Sequence, residues 1–321
     1  MRKDTRLFMI IMLLMIVPVI VWSQENEKRV RLKEEVIVKI LYGKKDGQFG
    51  RKDLEDGSSV TPRAFAFDPK NNIYIADANN ETPRVQVFDS NGQFLRKIIF
   101  RSKRAYPFVL IDVAVRDEKL YVLLYREDIQ VFTLAGKHIR TIKYFMDFDP
   151  SNKWTDALYN PSKMEVDSIG NIYLSAEAGA LVKLDSQGKL LEKWSEADHY
   201  IDANSNFFVM DLSNGKPILV VEYSSKGNKM LEGKCEDFFP APSSQKCRLP
   251  DFVDKEGNMY RRFQERFKGY HIVRVTRYLK KESVLLETDL YGDETGEYYK
   301  VDLNGNIYTI KDNLIKYSSV E

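Results

Sequence analysis

The sequence predicts an all-β fold built from a repeated unit, and three observations predict it. Short runs rich in β-branched and aromatic residues recur between Asp, Asn, Gly and Pro. Their apolar residues alternate with period two and not with the 3.6 spacing of a helix. One turn, an Asp followed six residues later by Tyr, returns along the chain. The clearest unit is Pro62 to Phe100, PRAFAFDPKNNIYIADANNETPRVQVFDSNGQFLRKIIF, with strands expected at Ala64 to Phe67, Ile73 to Ala76, Arg84 to Phe88 and Phe94 to Phe100.

Four close copies of the turn appear: FDPKNNIY at 67–74, VDSIGNIY at 166–173, VDKEGNMY at 253–260 and VDLNGNIY at 301–308. RDEKLY, ending at Tyr121, is two residues shorter, and DLSNGKPILVV, from Asp211, reads as a degraded copy. Asp and Asn accept backbone hydrogen bonds in tight turns, and Gly or Asn tolerates positive φ. The Tyr74, Tyr121, Tyr173, Tyr260 and Tyr308 spacings are 47, 52, 87 and 48 residues, the 87 being a double step. Six units of four strands follow, a repeat of about 47 residues, which predicts a six-bladed β-propeller of antiparallel blades. The blades fall near 62–100, 107–145, 161–195, 205–234, 248–290 and 296–321 plus 34–42.

The N-terminus supplies the missing strand. In EEVIVKILYG, from Glu34, Val36 to Leu41 carries apolar side chains on both faces but has no sequence-adjacent partner, while only one strand, Leu314 to Val320, follows Tyr308. The N-terminal strand is therefore expected to complete the last blade, hide an open sheet edge and close the ring. Ahead of it, 24–33 (QENEKRVRLK) reads as a charged tether. Arg2, Lys3 and Arg6 precede an apolar run from Leu7 to Trp22, interrupted by Pro18, with Val21-Trp22-Ser23 offering a cleavage site. That run is shorter than the roughly 20 residues of a spanning helix, so 1–23 is expected to be a signal peptide, the mature chain to have no membrane span, and the protein to be secreted or periplasmic. The alternative is an uncleaved anchor.

Without 1–23 the chain has 46 Lys and Arg against 46 Asp and Glu. This neutrality, together with export, argues against a nucleic-acid partner, whose affinity rests on basic contacts to phosphates. Cys235 and Cys247 flank EDFFPAPSSQK. In an oxidising compartment they predict a disulfide, contributing roughly 3 kcal/mol by loop closure, with two free thiols as the alternative.

The pattern P..AF.FD.KNNIYIAD....RVQVFD.NGQFL resembles the NHL repeat, strongly in the first unit and more weakly in the others. The resemblance implies a six-bladed propeller over residues 34–321. NHL-type propellers are protein-binding platforms, RNA-binding domains or, in relatives, secreted lyases and hydrolases with metal in the central channel, so the fold does not choose the function. His138, His199 and His271, the latter two in ADHY and GYHIVRV, hold non-equivalent repeat positions, no GxSxG is present, and no cofactor is expected, although a channel-bound calcium would leave no spacing signal.

The reading favours a monomeric binding module for a protein or small ligand at the channel mouth, with a metal-dependent lyase or hydrolase as the alternative. Five residues before each turn Asp stand Arg63, Asp112, Ser162, Asn206, Leu249 and Glu297. Just after each second strand stand Asp77, Arg126, Glu177, Glu222 and Arg262, and Arg84 varies among units in the same way. Polar groups of both signs converging on a channel mouth make the default pocket.

Overall fold

The computed structural model describes residues 28–53, 59, 60, 62, 64–77, 83–101, 110–124, 128–144, 161–175, 180–194, 197–201, 206–211, 219–223, 228–234, 252, 253, 259–267, 270–278, 283–292, 298–302, 304, 306–310 and 313–319. Every described regular element is a β-strand. β1 (Lys28–Lys39) comes first, followed by two short pairs, β2 (Leu41–Tyr42) with β3 (Gln48–Phe49) and β4 (Lys52–Asp53) with β5 (Ser59–Val60).

Four antiparallel sheets of four sequential strands come next. The first holds β6 (Phe65–Phe67), β7 (Ile73–Asp77), β8 (Arg84–Phe88) and β9 (Phe94–Ile99). The second holds β10 (Leu110–Arg116), β11 (Lys119–Leu124), β12 (Ile129–Thr133) and β13 (His138–Ile142). The third holds β14 (Lys163–Val166), β15 (Ile172–Ser175), β16 (Leu181–Leu184) and β17 (Leu190–Trp194). The fourth holds β18 (Ala197–Ile201), β19 (Phe207–Asp211), β20 (Leu219–Tyr223) and β21 (Lys229–Lys234).

The remaining strands are β22 (Phe252–Val253), β23 (Met259–Phe267), β24 (Tyr270–Tyr278), β25 (Ser283–Gly292), β26 (Tyr298–Val301), β27 (Ile307–Ile310) and β28 (Asn313–Ser319). They form one sheet in the order β22-β23-β24-β25-β1-β28-β27-β26. β1 joins its two halves. Leu32 to Lys39 run antiparallel to β28, as expected of a strand completing the last unit, while Lys28 to Arg31 run parallel to Val284 to Glu287 of β25. The strand thus begins inside the segment read as the tether 24–33, because residues with few apolar side chains still pair where two sheet edges lack partners.

A sheet of this kind buries its faces only against a neighbour, and the core consists of such interfaces. Val85, Val87 and Ile98 of the first sheet meet Val113, Leu120 and Val122 of the second. Ile129, Val131 and Ile142 of the second meet Met164, Leu174 and Val182 of the third. Tyr173 and Leu181 of the third meet Ala197, Phe207 and Val209 of the fourth. Tyr308, Ile310 and Leu314 of the last unit, with Val38 of β1, meet Phe65, Ile73, Ile75 and Phe88 of the first. Four-stranded antiparallel units packed face to face in sequence are the blades of a β-propeller.

The fourth unit corrects the expected boundaries. It starts at Ala197 and not near 205, so ADHY, outside the expected blade 205–234, belongs to its first strand. Phe207–Asp211 then becomes the second strand, and the DLSNGKP segment joins second to third instead of first to second.

Candidate functional site

Among the described residues the repeated turn is built the same way three times. Asp68 Oδ1 accepts the backbone N–H groups of Lys70 and Asn72 at 2.9 and 2.8 Å, and Oδ2 accepts Asn72 Nδ2 at 2.8 Å and the Tyr74 hydroxyl at 3.3 Å. Asp167, with Asn171 and Tyr173, and Asp302, with Asn306 and Tyr308, repeat this set of bonds. All three aspartates are buried, so each carboxylate needs these donors. Burial and then the adjacent Asp68 push the Tyr74 hydroxyl up to about 12, and the same two causes raise Tyr173 and Tyr308. Each ring lies at the interface with another unit: Tyr173 stacks on Phe207 with centroids 4.3 Å apart, and Tyr308 meets Phe67 at 4.5 Å. The turn therefore couples the local fold to sheet-on-sheet packing. The shorter RDEKLY version closes differently, with Asp117 and Glu118 both at positive φ between the paired Arg116 and Lys119, as in a two-residue hairpin.

Of the residues expected at the channel mouth, Asp112 is buried and bonded to β14, Ser162 stands just before β14 with its hydroxyl donating to the Ser175 carbonyl at 3.1 Å, Asn206 stands just before β19, Leu249 lies outside the described residues, and Asp77 and Arg84 are buried in one hydrogen-bonded group. Asp77 is completely buried; its Oδ1 accepts the N–H of Gly50 at 3.0 Å and its Oδ2 accepts Arg84 Nε at 2.9 Å and Gln86 Nε2 at 3.2 Å. Arg84 Nη2 and Gln86 Nε2 each donate to the carbonyl of Gln48 at 2.7 Å, and Gln86 Oε1 accepts the N–H of Gly47. The group fastens the 43–50 loop to the first sheet, with a buried ion pair whose charges are satisfied internally. Glu222 lies in the third strand of its unit and Arg262 inside β23, neither of them just after a second strand. Arg63, Arg126, Glu177 and Glu297, together with Cys235 and Cys247, lie outside the described residues.

Asp112 leads to a different constellation, made from the first strands of several units. A register shift between Leu110 and Asp112 interrupts the β10–β11 ladder beside it. Its Oδ1 accepts the N–H of Val113 at 2.8 Å, and its Oδ2 reaches the third unit, accepting the N–H of Met164 at 2.9 Å. Lys300, on β26 of the last unit, passes over the Phe65 ring at 5.7 Å and ends 3.5 Å from Asp112 Oδ1, donating to the Val113 carbonyl at 3.4 Å. The small Ala64, just before β6, and Ala66 of β6 flank Phe65.

On the two sides of Met164 stand Lys163 and Glu165. Lys163 Nζ is 2.5 Å from Glu165 Oε1, and His199 Nε2 of β18 is 3.5 Å from Glu165 Oε2, an oxygen that is buried and accepts no hydrogen bond. Burial works to raise the Glu165 carboxyl, but Lys163, then His199 and Lys300, outweigh it and hold it below the usual carboxylate range. Burial pushes His199 down to about 4, against the opposing pull of Glu165, so the imidazole is neutral at pH 7. Asp112, Lys163, Glu165, His199 and Lys300 therefore form one polar cluster drawn from four first strands. Among the described residues no three His, Cys, Asp or Glu side chains come together as a metal-binding group. The two carboxylates of the cluster are instead paired with ammonium groups.

Sequence reading reached Asp112 and missed the other four. Glu165 and Lys300 stand two residues before their turn Asp, where the first and second units have Ala66 and Val115. A residue that changes from unit to unit gives no repeat signal. His199 was findable: IDANSNFF at 201–208 aligns with VDSIGNIY at 166–173, with Phe208 in place of the tyrosine, and that register puts His199 on a first strand.

No family model matches the chain. Protein brain tumor of Drosophila melanogaster is 25% identical over 169 residues, which is 50% of this chain and 15% of that protein. The chain thus spans about 15% of the length of the curated relative it matches. Among solved structures, a luciferin-regenerating enzyme superposes with a TM-score of 0.48 at 12% identity, covering 89% of this chain and 95% of that one. The Dos1 propeller superposes with a TM-score of 0.47 at 12% identity, covering 84% of this chain and 82% of that one. No helix among the described residues is long and apolar enough to cross a membrane.

Proposed function

We propose that the protein is an exported six-bladed propeller whose ring is closed by β1 and which binds a ligand at the cluster of Asp112, Lys163, Glu165, His199 and Lys300. The contact between the last unit and the first, and the pairing of β1 with β28, support closure. The layout of residues 1–23 supports export to the periplasm or beyond the cell.

The observation that carries the binding site is the convergence itself. Ionisable side chains from four first strands meet at one place, although burying charge is costly and a ring needs only apolar contacts there. A thermal-shift screen of the purified protein against small ions, sugars and peptides, repeated with Glu165→Gln, tests the site: ligand-dependent stabilisation should be lost in the variant. Ligands that stabilise both proteins equally would place binding elsewhere.

The enzymatic reading, a metal-dependent lyase or hydrolase at the channel, predicts stoichiometric calcium or zinc in the purified protein and a higher melting temperature with it. Metal analysis decides between the two readings. Lys163 and Lys300 weigh against a cation here, because an ammonium already neutralises each carboxylate.

A further inference from the structure

We infer that the ligand of this cluster is a small oxyanion, a carboxylate or phosphate, held by Lys163 and Lys300. The inference rests on the reading of the cluster as a ligand site and names the chemistry that the site takes. Exposure within the cluster is sorted by sign. The Lys163 and Lys300 side chains are 44% and 28% exposed, whereas the Glu165, Asp112 and His199 side chains are 22%, 8% and 7% exposed. A molecule arriving from solvent therefore meets ammonium groups first.

The acids are also committed. Both Asp112 oxygens accept backbone N–H groups, at Val113 and Met164, which fixes the carboxylate against β10 and β14. Glu165 Oε1 is held by Lys163, and Oε2 is walled in beside His199. Their role is to position the lysines and to offset their charge, so that two ammonium groups can stand near one another. Lys300 in particular holds Asp112 and the Val113 carbonyl only at 3.5 and 3.4 Å, looser than the 2.7–2.9 Å usual for a charge-assisted bond. An incoming oxyanion can draw its ammonium away at little cost.

Lys donates as a compact point charge and not as a planar fork, so the site accepts both planar and tetrahedral oxyanions. At neutral pH the charges that face it from β10, β14, β18 and β26 are Asp112, Lys163, Glu165 and Lys300, with His199 uncharged. They sum to zero, so affinity should come from local geometry and fall only modestly with salt.

The test measures the melting temperature of the purified protein against increasing succinate and, separately, inorganic phosphate, at ionic strength held constant with sodium chloride. Putrescine and glucose serve as cationic and uncharged probes. The expected result is a saturable rise with at least one anion, weakened at least tenfold in apparent Kd in Lys163→Gln and in Lys300→Gln, and unchanged in Lys137→Gln, which alters an exposed lysine on an outer turn. Lys163→Gln keeps the test valid should Lys300→Gln fold poorly, since the Lys163 side chain is the most exposed of the five. A response to succinate alone assigns a carboxylate, and one to phosphate alone a phosphate. Saturation by putrescine or glucose that is lost in Glu165→Gln would overturn the anion assignment while leaving the site intact. Anion effects equal in all variants, or none at all, would overturn it as well, and the absence of any probe sensitive to the cluster would remove the site with it.

Discussion

Two positions of the repeat, two residues apart, one on a first strand and one in the turn that follows it, have opposite characters. The turn aspartate carries the same bonds in Asp68, Asp167 and Asp302, down to the Asn side chain and the Tyr hydroxyl. Two residues earlier stand Ala66, Val115, Glu165 and Lys300, which share no chemistry. The first position faces a demand internal to every unit, since four donors at the end of a buried strand need one acceptor group. The second faces the other units, and its residue is set by what must meet there. The difference separates the residues that make the fold from those that give this chain its individual surface.

The comparison is broken most severely at the turn. Asp167→Ala removes the acceptor for Ile169, Asn171 and Tyr173 at once, leaving a buried hydroxyl and amide unpaired, and should cost about 3 to 4 kcal/mol in urea unfolding. Gly92→Ala should cost about 2 kcal/mol, because φ there is +82° and a Cβ would lie 1.7 Å from the carbonyl oxygen of Ile37, so β1 must shift off the first sheet. Slower amide exchange in wild type than in the variant along 32–39 would mark that shift.

The polar cluster should show itself through pH. His199 binds its proton at about 4 when folded and near 6.5 when unfolded, so the unfolded chain holds more protons between these values. Stability should therefore be complete above pH 6.5 and decline as pH falls toward 4, and His199→Gln should flatten this part of the curve. The smallest effect is that of a single hydroxyl. Tyr74→Phe should cost about 1 kcal/mol. The raised Tyr74 pKa has the opposite sense to that of His199: its contribution is present below pH 10, the unfolded value, and is lost as pH rises through about 12, which phenolate absorbance would follow.

The same contrast explains what could be read from sequence. The turn and its Tyr are legible because one physical requirement recurs in every unit, and the four strands of Pro62 to Phe100 fall within a residue or two of their expected ends. The partner of β1 was legible from an open edge. Its pairing with β25 was not, since Lys28 to Arg31 carry the composition of a tether and are ordered by an available edge. Asp77 and Arg84 vary among units and so looked like site residues; in the structure they hold the 43–50 loop to the first sheet. Glu165 and Lys300 belong to strands whose alternation is ordinary, and it is the meeting of β10, β14, β18 and β26 that brings them together.

The most direct test of this division compares Asp167→Asn with Glu165→Gln, measuring unfolding free energy and anion-induced stabilisation for each. Both substitutions remove a charge from the same region of β14 and the turn after it. Asp167→Asn should lose stability while any folded fraction still responds to the anion, and Glu165→Gln, which no longer positions Lys163, should keep its stability within about 1 kcal/mol but lose the anion-induced stabilisation. Equal loss of stability in both, with binding unchanged in the folded Glu165→Gln protein, would contradict it and make the cluster another piece of scaffold.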